Sequence, residues 1–445
     1  MVRVKKADVA GQFYSADPKV LGSTISSIVV KRDYEYASRA VIAPHAALFY
    51  SGTLAVNALQ YLDEKAKNIF IFAPAHRVNF DGIAVCDYES FEIPLGSFAV
   101  NVEIVEKLRE NFGCVPFNDA FTGEHAIEVE LPLLRGRFPD AKIVPLVVGN
   151  VSYRKVTEIV EGFWQDRTNA FVISSDLSHF HSYDVAKKID SETCDMVENC
   201  SIEDFSSERA CGATAIRGLI DFAAEENFSL IRIGTCNSGD AGGSVERVVG
   251  YGAWMLVETS RNRFLRDNFS ERIISICRDA IGAGLKNEKI VIPNYIPGIF
   301  HQSIASFVTL EIDDDLRGCI GSIHAHRPLM SDLMRNAHGA AFGDRRFKPL
   351  TRDEFEKITI GVSLLSTPKA IVFNGERELL EAIIPVVDGI IIRDGAFQAV
   401  YLPSVWKQLP NKEQFLNSLR VKAGLASDHF SETFEAFKFS TEHVG

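Results

Sequence analysis

The chain has 445 residues, with 47 Lys and Arg against 59 Asp and Glu, for a formal charge of −12. That length calls for two or three domains, since single cores rarely grow past about 250–300 residues. The acidic balance gives no general attraction for nucleic acid or for an anionic membrane, so neither is expected as a partner.

The first residues carry charges and no long apolar stretch, and no run approaches about 18 apolar residues, so neither a signal peptide nor a membrane span is expected. Eight cysteines without a CxxC pair fit free thiols in a reducing cytoplasm. Up to residue 258, short runs rich in Val, Ile and Phe recur at 40–43, 69–73, 143–148, 170–173, 230–233 and 248–257. Amphipathic stretches such as 102–111 and 185–198 separate them. Buried strands alternating with helices predict an α/β domain with a mostly parallel sheet flanked by helices. The polar, basic stretch 259–268 reads as a linker.

From 269 onward the texture changes. Residues 270–285 have helical apolar spacing. Residues 306–312 and 316–323 read as a hairpin around the turn signal 313–315. Further strands are expected at 358–365, 389–393 and 399–402, with helices at 330–342 and 412–423. This second part, 269–445, is expected to be a smaller α+β domain.

In open α/β sheets, ligands bind beyond the carboxyl ends of the strands. Four runs of the first domain are followed by chemistry there: His45, His76, Asp176 with His179, and Cys236 with Asp240. Imidazole and thiolate together suit Fe, Zn or Cu, and three protein ligands would leave open coordination positions. The loop from Cys236 to Ser244 also suits a phosphate cradle, although the P-loop Lys is missing. Asp176 has a second reading as a helix N-cap, and His179 or His181 as an acid/base. His125 and Glu128, at i and i+3 of an expected helix with Thr122 as its cap, could face one site, while Glu124 and Glu130 read as a solvated acidic face.

The motifs Ala10-Gly-Gln-Phe-Tyr14, Ala43-Pro-His45, His76, Glu124-His-Ala-Ile-Glu-Val-Glu-Leu-Pro132, Ser174-Ser-Asp-Leu-Ser-His179 and Cys236-Asn-Ser-Gly-Asp240 resemble the MEMO family in order and spacing. That family is similar in fold to class III (LigB-type) extradiol dioxygenases. The resemblance implies that His45, His76 and Cys236 hold the metal, with non-haem Fe(II) first and Zn or Cu behind it. It also implies that His125, Asp176 and His179 line the pocket as catalytic groups. Two departures are Ala47-Leu48 where Gly-Tyr is common, and Ala75 where Asn commonly precedes the second His.

The second domain resembles the AMMECR1 family, on Leu316-Arg-Gly-Cys-Ile-Gly-Ser322, Ala340-Ala-Phe-Gly-Asp-Arg-Arg-Phe-Lys-Pro349, Val362-Ser-Leu-Leu-Ser366 and Lys422-Ala-Gly-Leu425. Asp388 stands where that family commonly has a His. Cys319 lies between two glycines, with Arg317 on the same face of the expected strand, so the cation would favour a reactive thiolate. The alternative is a buried thiol in a tight hairpin. His324 and His326 either serve the same site or form an exposed turn.

The resulting expectation is a cytoplasmic two-domain redox enzyme of dioxygenase-like fold. Its AMMECR1-like module would bind a small-molecule or peptide substrate, or a partner, near Cys319, and the resemblance implies a radical SAM protein as partner. A redox-neutral metal hydrolase or lyase, and a non-enzymatic metal-binding scaffold, are the alternatives.

Overall fold

The computed structural model describes residues 3–29, 32, 35–289 and 296–445. They form two units, Met1–Arg261 with Pro297–Ile299, and Asn262–Ile296 with Phe300–Gly445. Among the described residues no helix is long and apolar enough to cross a membrane.

In the first unit the apolar runs become strands of one nine-stranded sheet. Its centre is parallel, in the order Ala40–Ala43, Asn169–Ser174, Asn68–Pro74, Lys142–Val148. All four residues of the first are buried, as are all six of Asn169–Ser174. Side chains on both faces are therefore covered, which is why the runs show no polar alternation. Antiparallel strands extend the centre on either side. Val248–Val257 pairs with Ala40–Ala43 and with Ser229–Asn237, both antiparallel. Two reversals leave Ser229–Asn237 running in the same sense as the parallel centre, so its carboxyl end reaches the same edge of the sheet. Helices such as Leu48–Leu59, Arg154–Trp164 and Ala213–Glu225 supply the covering layers.

The second unit has two antiparallel four-stranded sheets. The expected hairpin forms between Ser306–Ile312 and Asp315–Gly321. Asp313 and Asp314 carry it round with φ of 53° and 66°, the left-handed conformations that a two-residue type I′ turn requires. The helix Leu329–Phe342 lies on this sheet so closely that a Cβ at Gly318 would stand 2.2 Å from the Ala340 carbonyl oxygen. The other sheet contains Gly389–Asp394 and Phe397–Tyr401. It is backed by Lys412–Lys422, whose Phe415, Leu416 and Leu419 pack with Ile390, Ile392 and Trp406.

The stretch expected to be a linker is largely helical. Arg261–Lys286 is one continuous helix, with Phe264 and Leu265 buried and Phe269 edge-on to Phe300 at 5.4 Å. Its charges mislead, because Arg263, Arg266 and Asp267 decorate the outer face of a helix whose apolar positions continue to Ile281.

Gly318→Ala should lower the stability of the second unit by about 1–3 kcal/mol, because the strand must move off the helix backbone to admit the methyl group. The measurement is the urea midpoint of that unit's unfolding transition. An unchanged midpoint would mean that the helix yields freely.

Candidate metal centre

Each parallel strand ends on the same edge, and the next few residues build the site. The His45 ring is 5.3 Å from that of His76 and 5.2 Å from that of His125, and the His76 and His125 rings stack at 4.6 Å. One ligating atom from each of the three lies within 4.8 Å of the other two. This cluster can hold a metal ion. His45 and His76 stand in it as the sequence suggested. Its third member is His125, expected only as a pocket residue, and Cys236 is not part of it.

Two hydrogen-bond chains fix which ring nitrogen is offered. His76 Nδ1 lies 2.8 Å from Glu124 Oε1, and its backbone N–H donates to Oε2 at 2.8 Å. A carboxylate can only accept, so Nδ1 carries a proton and Nε2 is the nitrogen left to meet a ligand. Burial opposes ionisation of Glu124, but the hydrogen bonds from His76 and from Ala126 N–H hold its pKa below the usual range. At His45, the Ser174 hydroxyl donates to the Ala126 carbonyl at 2.6 Å. With its proton given there, it accepts from His45 Nδ1–H at 2.8 Å, so Nε2 is the acceptor nitrogen of the ring. Burial, reinforced by the neighbouring imidazoles His76, His125 and His179, pushes the His45 pKa far below the ordinary imidazole value. The same causes, burial and then His76, take His125 down to about 4. Its Nδ1 is buried without a hydrogen bond. The lowered values keep His45 and His125 neutral, the protonation state that a metal requires.

The acidic residues around His125 are not a solvated face. Glu124, Glu128 and Glu130 are all buried. Glu124, rather than Thr122, caps the helix His125–Glu128. Glu128 points away from the cluster and clasps the N-terminal segment. It accepts from Asp8 N–H at 2.7 Å, Val9 N–H at 2.9 Å and the Tyr14 hydroxyl at 2.6 Å. That clasp sets Phe13 against the His125 ring at 4.5 Å. Glu130 sits beneath Ser174, and burial raises its pKa to about 8. The solvated reading of Glu124 and Glu130 failed because the groups they meet, His76 and Ser174, lie more than forty residues away.

Asp176 does not cap a helix. Its Oδ1 accepts the His45 backbone N–H at 2.9 Å, tying two strand ends together, and burial raises its pKa to about 7. It therefore does not orient His179, whose ring interacts with the Leu177 backbone and whose pKa burial lowers. Both residues line a cavity of about 440 Å³ with His125, Tyr50, Arg247 and Tyr251. Cys236 lies opposite Tyr251 on the neighbouring strand, near the same edge. Burial first, then the charges of Asp240 and Asp176, push its thiol up to about 12. The loop after it is closed by Asp240, which accepts from Asn237 N–H at 2.9 Å and from the Tyr183 hydroxyl at 2.6 Å. The thiol that touches the cluster is Cys211, with Sγ 3.4 Å from His45 Nε2 and Asp176 N–H donating to it at 3.3 Å. Cys211 precedes the helix Ala213–Glu225, so a search restricted to strand ends passes over it.

In the second unit, Cys319 is half-buried and accepts from the Thr309 hydroxyl at 3.4 Å. Arg317 does not serve its sulfur. The guanidinium grips Glu354 with two hydrogen bonds, at 2.9 and 3.1 Å. His324 and His326 form an exposed turn in which His326 Nδ1 meets the His324 carbonyl. Asp388 is structural, accepting Ile384 N–H through its side chain and Trp406 Nε1–H through its carbonyl.

Comparison with known proteins follows this division. The family profile described as Memo-like protein matches residues 5–255, and the AMMECR1 profile matches residues 274–444. A MEMO1 family protein of Thermoplasma volcanium is 28% identical over 56% of this chain and 96% of its own length. A MEMO1 family protein of Schizosaccharomyces pombe is 30% identical over 40% of this chain and 61% of its own. A protein of Methanocaldococcus jannaschii is 35% identical over 38% of this chain and 86% of its own. Among solved structures, an uncharacterised Pyrococcus horikoshii protein matches 39% of this chain and 89% of its own, at 29% identity and a TM-score of 0.37. The chain belongs to the Memo-like family, and it carries an AMMECR1 domain fused in the same polypeptide.

Proposed function

We propose that the first unit is a metal-dependent redox enzyme of the class III extradiol dioxygenase type, with His45, His76 and His125 as the ligands that the fold itself presents. The supporting observation is the convergence of three imidazoles, two of which have their Nδ1 engaged by Ser174 and Glu124. Open coordination positions would face the cavity that Asp176, His179 and Tyr251 line. A metal bound there would supply Lewis-acid polarisation and, for iron or copper, a change of redox state.

The chain's own groups do the rest. Phe13, Tyr50 and Tyr251 give the cavity wall its aromatic surface. His179, kept neutral by burial, accepts a proton from the substrate at a ring nitrogen. Asp176 holds the His45 loop in place through its backbone N–H. Non-haem Fe(II) is our first choice by resemblance. A set of three neutral imidazoles without a carboxylate is also that of zinc hydration sites, and this favours the redox-neutral hydrolase or lyase as the second reading. The AMMECR1 domain is the substrate- or partner-binding module, and a radical SAM protein is the partner we propose.

The test is anaerobic reconstitution of the full chain with Fe(II), Zn(II) or Cu, followed by metal analysis. About one ion per chain is expected, with binding lost in His45→Ala, His76→Ala and His125→Ala. Parent-like binding in all three would overturn the reading. Cys236→Ser should bind like the parent if the imidazoles suffice, and its failure alone would restore that thiol to the ligand set.

Two further outcomes follow from the hydrogen bonds. Glu124→Gln should weaken metal binding by about 10–100-fold, since the amide no longer draws the His76 Nδ1 proton as a carboxylate does. His179→Ala should retain its metal. Oxygen uptake by the iron form, set against redox-neutral turnover by the zinc form, separates the two chemistries.

A further inference from the structure

Phe180 and Arg247 stand exposed in the wall of the cavity beside the histidine cluster. Arg247 immediately precedes the strand Val248–Val257. Among the described residues its guanidinium forms no ion pair, and it rests against the Phe180 ring, 5.0 Å from the centroid. The chain carries 59 acidic residues against 47 basic ones, so a cation left without a carboxylate is the less expected outcome. Of the residues that line the cavity only Asp176 is acidic, and its Oδ1 is taken by the His45 N–H.

Phe180 is 60% exposed and has a φ of 62°. A bulky residue rarely adopts that left-handed region, where its Cβ crowds the following carbonyl. The cause lies in the sheet. His179 pairs with Val249 and His181 with Val248, so Phe180 is the extra residue of a β-bulge. Bulges beside sites re-aim a side chain, and this one sets the Phe180 ring against the guanidinium and 5.7 Å from the His179 ring. Strain at an exposed aromatic residue is not offset by burial, so stability alone does not account for it.

With the Phe180 ring on one side of the guanidinium, the N–H groups in its plane remain to donate. That planar fork matches a carboxylate, which it can hold with two parallel N–H···O bonds. Tyr50 and Tyr251, in the same wall, offer aromatic surface to the body of a ligand. A volume of about 440 Å³ is of small-molecule size.

We infer that Arg247, steadied by Phe180, is the carboxylate-binding group of this cavity, whose ligand is a small molecule carrying a carboxylate on a flat, unsaturated body. The inference rests on the reading of this cavity as a substrate site, but its test needs no metal. Arg247 acts on the charge of the ligand and not on the reacting atoms, so it determines which molecules enter.

The probes are benzoate and its neutral isostere benzamide, titrated against the metal-free full chain at low salt and followed by ligand-observed NMR. Benzoate should bind about fivefold or more tighter than benzamide, and the preference should shrink as salt is raised. Arg247→Gln should abolish the preference while leaving benzamide binding near the parent's. Arg247→Lys should keep only part of it, since an ammonium group offers no fork. Phe180→Gly should weaken benzoate binding yet leave the urea midpoint of the first unit at or above the parent's, because glycine takes a φ of 62° without strain. No preference in the parent, or a preference that survives Arg247→Gln, would overturn the inference. Metal analysis of the same proteins separates this from the metal reading. Arg247→Gln should take up its ion like the parent, and a parent that takes up none while still preferring benzoate would sink the metal reading alone.

Discussion

One buried carboxylate joins the pieces of the histidine cluster. Glu124 accepts the backbone and ring N–H of His76 and the N–H of Ala126. Those three bonds connect the loop after a parallel strand to the first turn of the helix that begins at His125. Hydrogen bonds to a charged acceptor contribute about 1.5–3 kcal/mol each, enough to offset the cost of taking this carboxylate out of water. Without it, the His76 tautomer would be free, the first helical turn would lose its cap, and the 4.6 Å stacking of His76 on His125 would have no anchor.

Beneath that carboxylate a second chain runs from the Ala126 carbonyl through Ser174 to His45. Ala126 thus donates to Glu124 through its N–H and accepts from Ser174 through its C=O. A single peptide position serves both imidazole supports, so the orientations of His45 and His76 are coupled through the backbone. Ser174 and Asp176, on either side of Ser175, hold the ring and the backbone N–H of His45 respectively. Rigid strand ends, rather than long side chains, determine the geometry.

Much of this was legible in the sequence because it is local. His45 and His76 directly follow buried apolar runs, and the rule that ligands gather at carboxyl strand ends finds them without any contact map. The hairpin at 313–314 was legible for the same reason, since turn chemistry is carried by neighbouring residues. What was hidden depends on partners far along the chain. Helical spacing sets Glu128 to face one site with His125, but residues 8–14 donate to it instead. Arg317 shares a strand face with Cys319, yet Glu354, 37 residues further along, offers it a bidentate partner. The helix expected from residue 270 already begins at Arg261, because charge density hid the apolar spacing of Phe264, Leu265 and Phe269 within a window too short to show a helical period.

The clasp between Glu128 and Tyr14 bears on when the site comes into existence during synthesis. Phe13 forms part of the cavity wall and Tyr251 another part, so the wall draws on both ends of the first unit. Contacts of such sequence separation form late and depend on nearly complete topology. A ribosome-bound chain that has not yet released the Val248–Val257 strand has the histidines but not the enclosure. An ion entering this site would therefore be selected by a finished fold, with its fixed cavity and tautomers, and not by whichever loose imidazole the nascent chain first exposes to the metals around it.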